Sequence, residues 1–331
     1  MHYLCICYIL KIEKMNIIEL IEQGNSTAFS FEVLPPLKGT GMEGLRKTVE
    51  RLLPFDPKYI NITNHRSEFA YKDLGNGLVQ RTRLRRRPGT VAVAAALQNE
   101  FHVPLVPHVL CSGYSREDIE YLLLDLQFLG LSNILVLRGD KAREDSCYKA
   151  TPGGYEHTTE LIEQINNFNE GRFVDGTQIK VPGEKFNYGV ACYPEKHEES
   201  LNLETDLHWF KEKVRMGASY GVTQLFYDNS AYFAFVEKAR AEGITVPIIP
   251  GIKPLTKLSQ LTAVPRTFHC NFPEPLAKEL LRCKSDEEVK AVGVEWGVEQ
   301  CRELIRHGVP SLHFYTVSAV DSIAHIASKI F

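Results

Sequence analysis

Eight short apolar runs recur along this chain, and each carries a polar residue or a glycine near its C-terminal edge. Segments with helical patterning separate the runs, so strands and helices alternate along the sequence. This number of alternating units predicts a single α/β domain, a parallel (β/α)8 TIM barrel with an N-terminal helix and a few insertions. The predicted strands are Ala28–Leu34, Tyr59–Thr63, Val103–Leu110, Asn133–Leu137, Phe186–Tyr193, Val222–Tyr227, Val246–Ile252 and Leu312–Val317.

The residues at the ends of these runs are the first candidates for chemistry. In a parallel barrel the active site lies at the C-terminal ends of the strands. The candidates at these ends are Glu32, Thr63, His108, the triplet Arg138-Gly139-Asp140, Tyr193, Gln224, Gly251 and Tyr315.

Charge and cysteine content exclude several classes of protein. The 331 residues include 38 basic and 41 acidic side chains, a net charge of −3 that gives no general attraction to nucleic acid or to a membrane surface. No apolar run approaches the ~20 residues of a membrane span. The eight cysteines form no CxxC pair, so they fit the reduced thiols of a cytoplasmic protein better than a disulfide framework or a zinc ribbon.

The N-terminal residues 1–14 lack the basic start and the small-residue cleavage site of a signal peptide. A second methionine, Met15, precedes the predicted amphipathic helix Asn16–Gln23. We therefore expect residues 1–14 to be a non-native or dispensable extension, and residues 15–331 to form the barrel.

Helical patterning follows each predicted strand. Ser115 is predicted to cap one helix, with Asp118 completing a capping box. The long loop Asp140–Gly154 lies on the catalytic side and is predicted to cover a ligand, whereas the loop Glu170–Lys185 falls on the opposite face. The main predicted helices are Gly44–Leu53, Leu78–Phe101 with a break at Pro88-Gly89, Ser115–Leu129, Tyr155–Phe168, Ser200–Met216, Ala231–Ala241, Glu287–His307 and Ser318–Ile330.

Five arginines lie between Arg81 and Arg87, within the second of these predicted helices. Such a run could bind nucleic acid. Because the chain is acidic overall and the run has no interleaved aromatic residues, we favour a solvated or subunit-contact face on an outer helix.

Glu32 lies in an apolar strand that a double proline ends. Burial of a carboxylate costs free energy and raises its pKa, so Glu32 could act as a general acid near neutral pH. The alternative is a glutamate paired with an interior arginine or lysine.

Arg138, Gly139 and Asp140 could together receive a flat or phosphorylated ligand. Glycine lets the backbone approach closely, the guanidinium can bind a phosphate or a carboxylate, and the aspartate can accept from a ring N–H. A simple Arg–Asp pair that fixes the loop explains these residues equally well.

Tyr193 and His197 could stack on a ring or bind phosphate, although a lone histidine is more often structural. Asp206 and Lys213 are seven residues apart and can share one helix face, which by default is solvated. The Gln224 amide suits the edge of a heterocycle, with a satisfied core amide as the alternative. His108 could likewise bind the edge of a heterocycle, with a satisfied core side chain as the alternative.

Eight short motifs occur in order at the strand spacing: FSFEVLPP, NIT, PHVLC, LRGD, ACYPEKHEES, TQLFYD, IIPGIKP and LHFYT. Together they resemble the 5,10-methylenetetrahydrofolate reductase family, in its bacterial FAD-dependent form, from about Phe29 to the C-terminus. The resemblance implies a flavin barrel, with NADH or NADPH as electron donor, that makes 5-methyltetrahydrofolate for methionine synthesis, commonly as a homo-oligomer.

The resemblance also implies roles for individual residues. Glu32 matches the general acid, Asp140 an aspartate near the flavin and the pterin, and Gln224 a glutamine that contacts both substrates. Gln260 and Tyr315 match the substrate side of the pocket. The positions that match FAD contacts are Thr63, His108, Arg138, Gly139, Asp140, Tyr155, Tyr193, His197, Asp206 and Lys213.

Two departures from the family pattern concern the electron donor more than the reaction. This chain has FEVLPP where better-known bacterial members have FEFFPP, and Val264 stands at a position where they carry a phenylalanine. Leu261 or Phe268 could substitute for that ring. Two rival hypotheses stay open at this point: another FAD-dependent barrel oxidoreductase, such as one acting on proline, and a flavin-free barrel that binds a folate or corrinoid methyl carrier.

Overall fold

A parallel barrel forms the centre of the computed structural model, which describes residues 15–24, 26–141 and 145–331. Among these residues, nine short strands hydrogen-bond in one sheet. They are β1 (Ala28–Val33), β2 (Tyr59–Ile62), β5 (Leu105–Leu110), β6 (Asn133–Leu137), β7 (Asn187–Cys192), β8 (Tyr220–Thr223), β9 (Ile248–Ile249), β10 (Gly251–Ile252) and β11 (Ser311–Tyr315).

The seventh strand of the barrel consists of two pieces, β9 and β10, separated by Pro250. The first piece pairs with β8 and the second with β11, while β11 pairs with β1 and so completes the ring. Proline has no N–H to give to a sheet, but the Pro250 carbonyl accepts from the His313 N–H at 3.0 Å. The predicted (β/α)8 fold is therefore confirmed.

Helices surround the strands. Ser115 caps its helix as predicted: its hydroxyl accepts from the Asp118 N–H at 3.2 Å, and its own N–H donates to the Asp118 carboxylate at 3.0 Å. The helices are α1 (Ile17–Glu22), α2 (Glu43–Leu52), α3 (Thr90–Phe101), α4 (Arg116–Phe128), α5 (Thr158–Asn169), α6 (Leu203–Arg215), α7 (Asn229–Ala241), α8 (Gln260–Phe268), α9 (Glu274–Leu280), α10 (Asp286–Arg306) and α11 (Val320–Ile330). None of the helices in the described ranges is long and apolar enough to span a membrane.

The apolar core has two main parts. The larger part lies between the strands and the outer helices. The smaller part fills the N-terminal end of the barrel, where Ile17 and Leu20 of α1 pack with inward side chains such as Tyr59 and Val106. This end is the stability face of a (β/α)8 barrel, so function is expected at the other end.

The prediction of a helix from Leu78 is wrong. Residues Glu68–Gly75 (β3) and Leu78–Leu84 (β4) form an antiparallel hairpin, and only Thr90–Phe101 is helical. The turn residues Asn76 and Gly77 have φ values of 56° and 75°. An Asn-Gly pair favours such a turn. This dipeptide therefore indicates a hairpin, which the helical interpretation of the arginine-rich segment overlooked. The arginine run therefore begins on a strand of this hairpin and does not lie on an outer helix.

The other predicted elements differ from the structure mainly at their ends. The sixth strand of the barrel is Tyr220–Thr223, whereas the sequence predicts Val222–Tyr227, so Gln224 directly follows the strand. The loop Glu170–Lys185 joins α5 to β7 and lies on the N-terminal side as expected. The proposed extension, residues 1–14, lies outside the described residues.

Candidate active site

Glu32 lies at the C-terminal end of β1 and is half-buried there. Its neighbours in the sheet are Asn61 on β2 and Tyr315 on β11. Burial raises the pKa of the Glu32 carboxyl to about 7, and the positive charge of Lys253 acts in the opposite direction. The charge of Lys253 therefore acts on this carboxyl, which with a pKa of about 7 still binds a proton near neutral pH.

Tyr315 lies beside Glu32 on the end of β11, and its ring reaches across to the end of β8, which Gln224 follows. The Tyr315 hydroxyl donates to the Thr223 carbonyl at 2.6 Å. Gly251 allows this ring to lie where it does, because a Cβ there would meet the Tyr315 oxygen at 2.5 Å. Gln224 is half-buried, and its side-chain oxygen accepts from the Leu225 N–H at 2.9 Å.

The turn after β6 brings backbone unusually close to the neighbouring strand. Gly139 has a φ of 82°, and a Cβ at this position would meet the Ser112 Cβ at 2.9 Å. The Ser112 hydroxyl donates to the Asp140 carbonyl at 2.9 Å. This turn leaves the Asp140 side chain exposed at the mouth of the barrel.

Arg138 pairs with Glu199, so the alternative of a simple pair with Asp140 is wrong. Its guanidinium bonds the Glu199 carboxylate at 2.5 Å and lies 4.5 Å from the centre of the Tyr148 ring. The Tyr148 hydroxyl donates to the Tyr155 carbonyl at 3.0 Å. Contacts between the loops after β6 and β7 therefore hold the arginine at the barrel mouth.

The loop after β7 is organised by Asp206 from the following helix. The Asp206 carboxylate accepts from the His197 N–H at 3.0 Å and from the Ser200 hydroxyl at 3.1 Å. The rings of Tyr193 and His197 meet edge-to-face, with centroids 4.8 Å apart. The ammonium of Lys213 donates to the Ala191 carbonyl at 2.7 Å, and burial lowers its pKa.

His108 is a buried neutral imidazole. Burial and the neighbouring His65 lower its pKa to about 3. Its Nε2 lies 3.2 Å from the Asn61 side-chain nitrogen. Thr63 is half-buried at the end of β2, and its hydroxyl lies 3.4 Å from the His65 Nε2. His108 can therefore offer a hydrogen bond to a ligand but no positive charge near pH 7.

Gln260 serves the backbone around the first turn of α8. Its side-chain oxygen accepts from the N–H groups of Thr256 and Lys257 at 2.7 and 3.0 Å. Val264 is buried in a satellite apolar cluster that Tyr315 also touches, and the partly buried Leu261 and Phe268 pack against that cluster.

Tyr155 is half-buried beside α4. The Arg116 guanidinium lies 5.1 Å from the centre of its ring, which is within the range of a cation–π contact.

Three contributors to the site were not predicted from the sequence. They are Lys253, which directly follows β10, and Tyr148 and Glu199, which fix Arg138. Lys253 follows the C-terminal end of a strand, as the other candidates do, and could have been identified in the same way. Glu199 belongs to a run of acidic residues on a loop, and nothing in its local pattern identifies its partner.

Comparison with known proteins now identifies the family. The profile of the family described as methylenetetrahydrofolate reductase matches residues 16–330. The chain belongs to this family. A relative named "Methylenetetrahydrofolate reductase (NADH) 1" from Arabidopsis thaliana is 30% identical over 319 residues, which cover 93% of this chain and 49% of that protein. The resemblance drawn from the eight motifs is confirmed.

A bacterial relative matches this chain over most of both lengths. The "5,10-methylenetetrahydrofolate reductase" of Pectobacterium carotovorum subsp. carotovorum is 27% identical over 293 residues, 88% of this chain and 86% of that protein. By contrast, the chain spans about half the length of the plant relatives it matches.

Among solved structures, an "Uncharacterized protein from Clostridium thermocellum" superposes with a TM-score of 0.57 at 14% identity, over 95% of this chain and 98% of that one. That protein is described as binding two copies of 5-methyl-5,6,7,8-tetrahydrofolic acid. At this identity the likeness supports the fold alone.

Proposed function

We propose that this protein reduces 5,10-methylenetetrahydrofolate to 5-methyltetrahydrofolate with electrons from NADH or NADPH that pass through bound FAD. The observation that carries this proposal is Glu32, a carboxyl with a pKa of about 7 at the catalytic end of a barrel of this family. Such a group is protonated often enough at neutral pH to act as an acid.

The residues at the barrel mouth fit FAD. The tight turn at Gly139, which a Cβ would fill, lets backbone approach a flat ring, and Arg138 supplies a cation for a diphosphate. Tyr193, His197 and Lys213 would extend the site along the β7 loop, and Thr63, His108, Tyr155 and Asp206 would complete it. When bound, FAD would accept hydride from the nicotinamide and pass it to the folate, in a ping-pong sequence.

Glu32 would supply the proton that opens the five-membered ring of the folate. The bond from the bridging carbon to one ring nitrogen breaks, its electron pair stays on that nitrogen, and the nitrogen takes the Glu32 proton. The bridging carbon is left as an iminium that accepts hydride.

Neighbouring residues would orient and stabilise the folate. The Gln224 amide would contact the pterin and the nicotinamide in turn, with Gln260 and Tyr315 on the substrate side. The exposed Asp140 carboxylate would favour the cationic intermediate.

The test is the visible absorption of purified protein, reconstituted with FAD if necessary. We expect a flavin spectrum that bleaches with anaerobic NADH or NADPH and returns on addition of methylenetetrahydrofolate. Bleaching without return would retain a flavin barrel and reject the folate. A protein that takes up no FAD would overturn the proposal and favour a flavin-free methyl-carrier barrel.

Two variants separate the half-reactions. Glu32→Gln is expected to keep FAD and its reduction by NAD(P)H while losing reoxidation by folate. Asp140→Asn is expected to keep FAD and slow the folate half-reaction. If either variant reoxidises with folate at the wild-type rate, the role proposed for that residue is wrong.

Two further expectations belong to the same proposal. A family member of this kind would work in the cytoplasm, without nucleic acid or membrane partners, and as a homo-oligomer. Sedimentation velocity of the purified protein tests the last point, and a single monomeric species would contradict it.

A further inference from the structure

Three adjacent strands end in a row of polar side chains. Phe31 of β1, Phe314 of β11 and Ile252 of β10 are paired in register, and all three pack outward in the core between strands and helices. Successive side chains in a strand point to opposite faces. The next residue on each chain, Glu32, Tyr315 and Lys253, therefore points into the barrel mouth.

The ammonium of Lys253 is held in place beside this row. Its Nζ donates to the Val317 carbonyl at 2.8 Å, and the side chain is half-buried. Burial lowers the pKa of Lys253, whereas the charge of Glu32 raises it. The influence is mutual, because Lys253 lowers the pKa of Glu32.

The other groups that face Glu32 from the packed strands carry no positive charge. Tyr315 is a phenol whose pKa is raised well above its ordinary value by burial, and Asn61 is neutral. Thr316 donates its hydroxyl to the Glu32 carbonyl at 2.6 Å and so fixes the backbone at this point. Within the described part of the chain, the Lys253 ammonium is the cation whose charge lowers the pKa of the Glu32 carboxyl.

We propose that Lys253 is a positioning residue for the acid step, whose ammonium stabilises the carboxylate that Glu32 becomes when it gives its proton to the folate. This inference rests on the proposed function. The proton moves from the Glu32 oxygen to the folate nitrogen as the carbon–nitrogen bond breaks, and the new carboxylate lies near a charge that is already in place. Water returns the proton after the product leaves. Lys253 would thus make Glu32 a stronger acid without touching the reacting atoms.

The variants Lys253→Met and Lys253→Arg test the proposal, because methionine keeps much of the apolar stem without the charge and arginine keeps the charge. The rate of flavin reoxidation by methylenetetrahydrofolate is measured from pH 5.5 to 9 in pre-reduced protein. We expect Lys253→Met to slow this step at least fivefold at pH 6 and to move its pH limb upward by roughly one unit. Lys253→Arg should restore most of the rate and return the pH dependence of this step to that of wild type. The rate of flavin reduction by NAD(P)H, a step that does not use the Glu32 proton, should change less than the folate step in both variants.

A second readout needs neither cofactor nor substrate. The pH dependence of unfolding of the FAD-free protein includes the titration of Glu32. The loss of stability that this carboxyl causes as the pH rises should extend to higher pH in Lys253→Met than in wild type. A uniform loss of rate with an unmoved limb would overturn the proposal and leave Lys253 a purely structural role. Failure of wild-type protein to bind FAD, or to reoxidise with folate, would instead overturn the proposed function.

Discussion

Replacement of Glu32 by glutamine should make the folded protein more stable at alkaline pH, although it is expected to abolish folate reduction. In the folded protein the pKa of this carboxyl is about 7, whereas its ordinary value is 4.5. Between these two values the folded state holds a proton that the unfolded chain has lost. The free energy of unfolding therefore falls as the pH rises from 4.5 to 7, and the penalty is fully present above pH 7.

The size of this penalty follows from the two pKa values. At 1.36 kcal/mol per pH unit, the difference between 4.5 and about 7 corresponds to roughly 3 kcal/mol at pH 8. Glutamine is neutral throughout and avoids the penalty, but it leaves the Lys253 charge without its neighbour, so roughly 3 kcal/mol is an upper value. For a domain of 331 residues this is an increase of up to about 4 °C in Tm.

Urea unfolding of FAD-free protein at pH 4.5 and pH 8 measures the effect. We expect Glu32→Gln to gain stability over wild type at pH 8 and little at pH 4.5. Glu50→Gln is the matched control, because Glu50 is an exposed glutamate on α2 and its replacement should give no pH-dependent gain. A Glu32→Gln variant that is less stable than wild type at pH 8, or whose gain is the same at both pH values, would refute the reasoning.

Three further outcomes follow from the structure. Gly139→Ala should cost about 1–2 kcal/mol and lower the flavin-to-protein ratio after reconstitution, because a left-handed φ of 82° and the nearby Ser112 Cβ exclude a side chain. Ser115→Ala should lower the free energy of urea unfolding by about 1 kcal/mol through loss of the Asp118 capping box, with unchanged FAD binding. The pKa of His108 is about 3 in the folded protein, so below pH 6.5 the unfolded chain takes up a proton that the folded imidazole does not. His108→Asn should therefore reduce the slope with which the free energy of unfolding falls below pH 6.5, by up to about 1.4 kcal/mol per pH unit. An unfolding series at acid pH with the wild-type slope would contradict this.

The barrel was predictable because its strands are buried on both faces. A strand such as Asn133–Leu137 reads as a continuous apolar run, and its neighbours in the ring repeat the same pattern. The hairpin was missed for the opposite reason. Leu78 and Val79 are exposed there, so no face of β4 carries the apolar alternation that marks a half-buried strand.

The sequence predicts the parts of the site that lie at the C-terminal ends of strands, but it does not predict those that depend on contacts between loops. Glu32, Gln224 and Tyr315 lie at the C-terminal ends of barrel strands, and the fold alone places them on the same end of the barrel. The pairing of Arg138 with Glu199 joins residues 61 positions apart on two loops. No local periodicity encodes a contact of this kind, because it depends on how the loops after β6 and β7 pack.

The layering of the barrel interior bears on how a pH profile of this protein should be read. His108 and His313 lie below the mouth, and burial lowers both of their pKa values to about 3. They meet Asn61 and Ser30 through ring nitrogens at 3.2 and 3.0 Å without carrying charge. Charge is tolerated at the mouth, where burial is incomplete, and would cost several kcal/mol per ion deeper in the barrel. A kinetic limb near pH 7 would therefore not belong to His108 or His313, even though 6.5 is the ordinary pKa of a histidine.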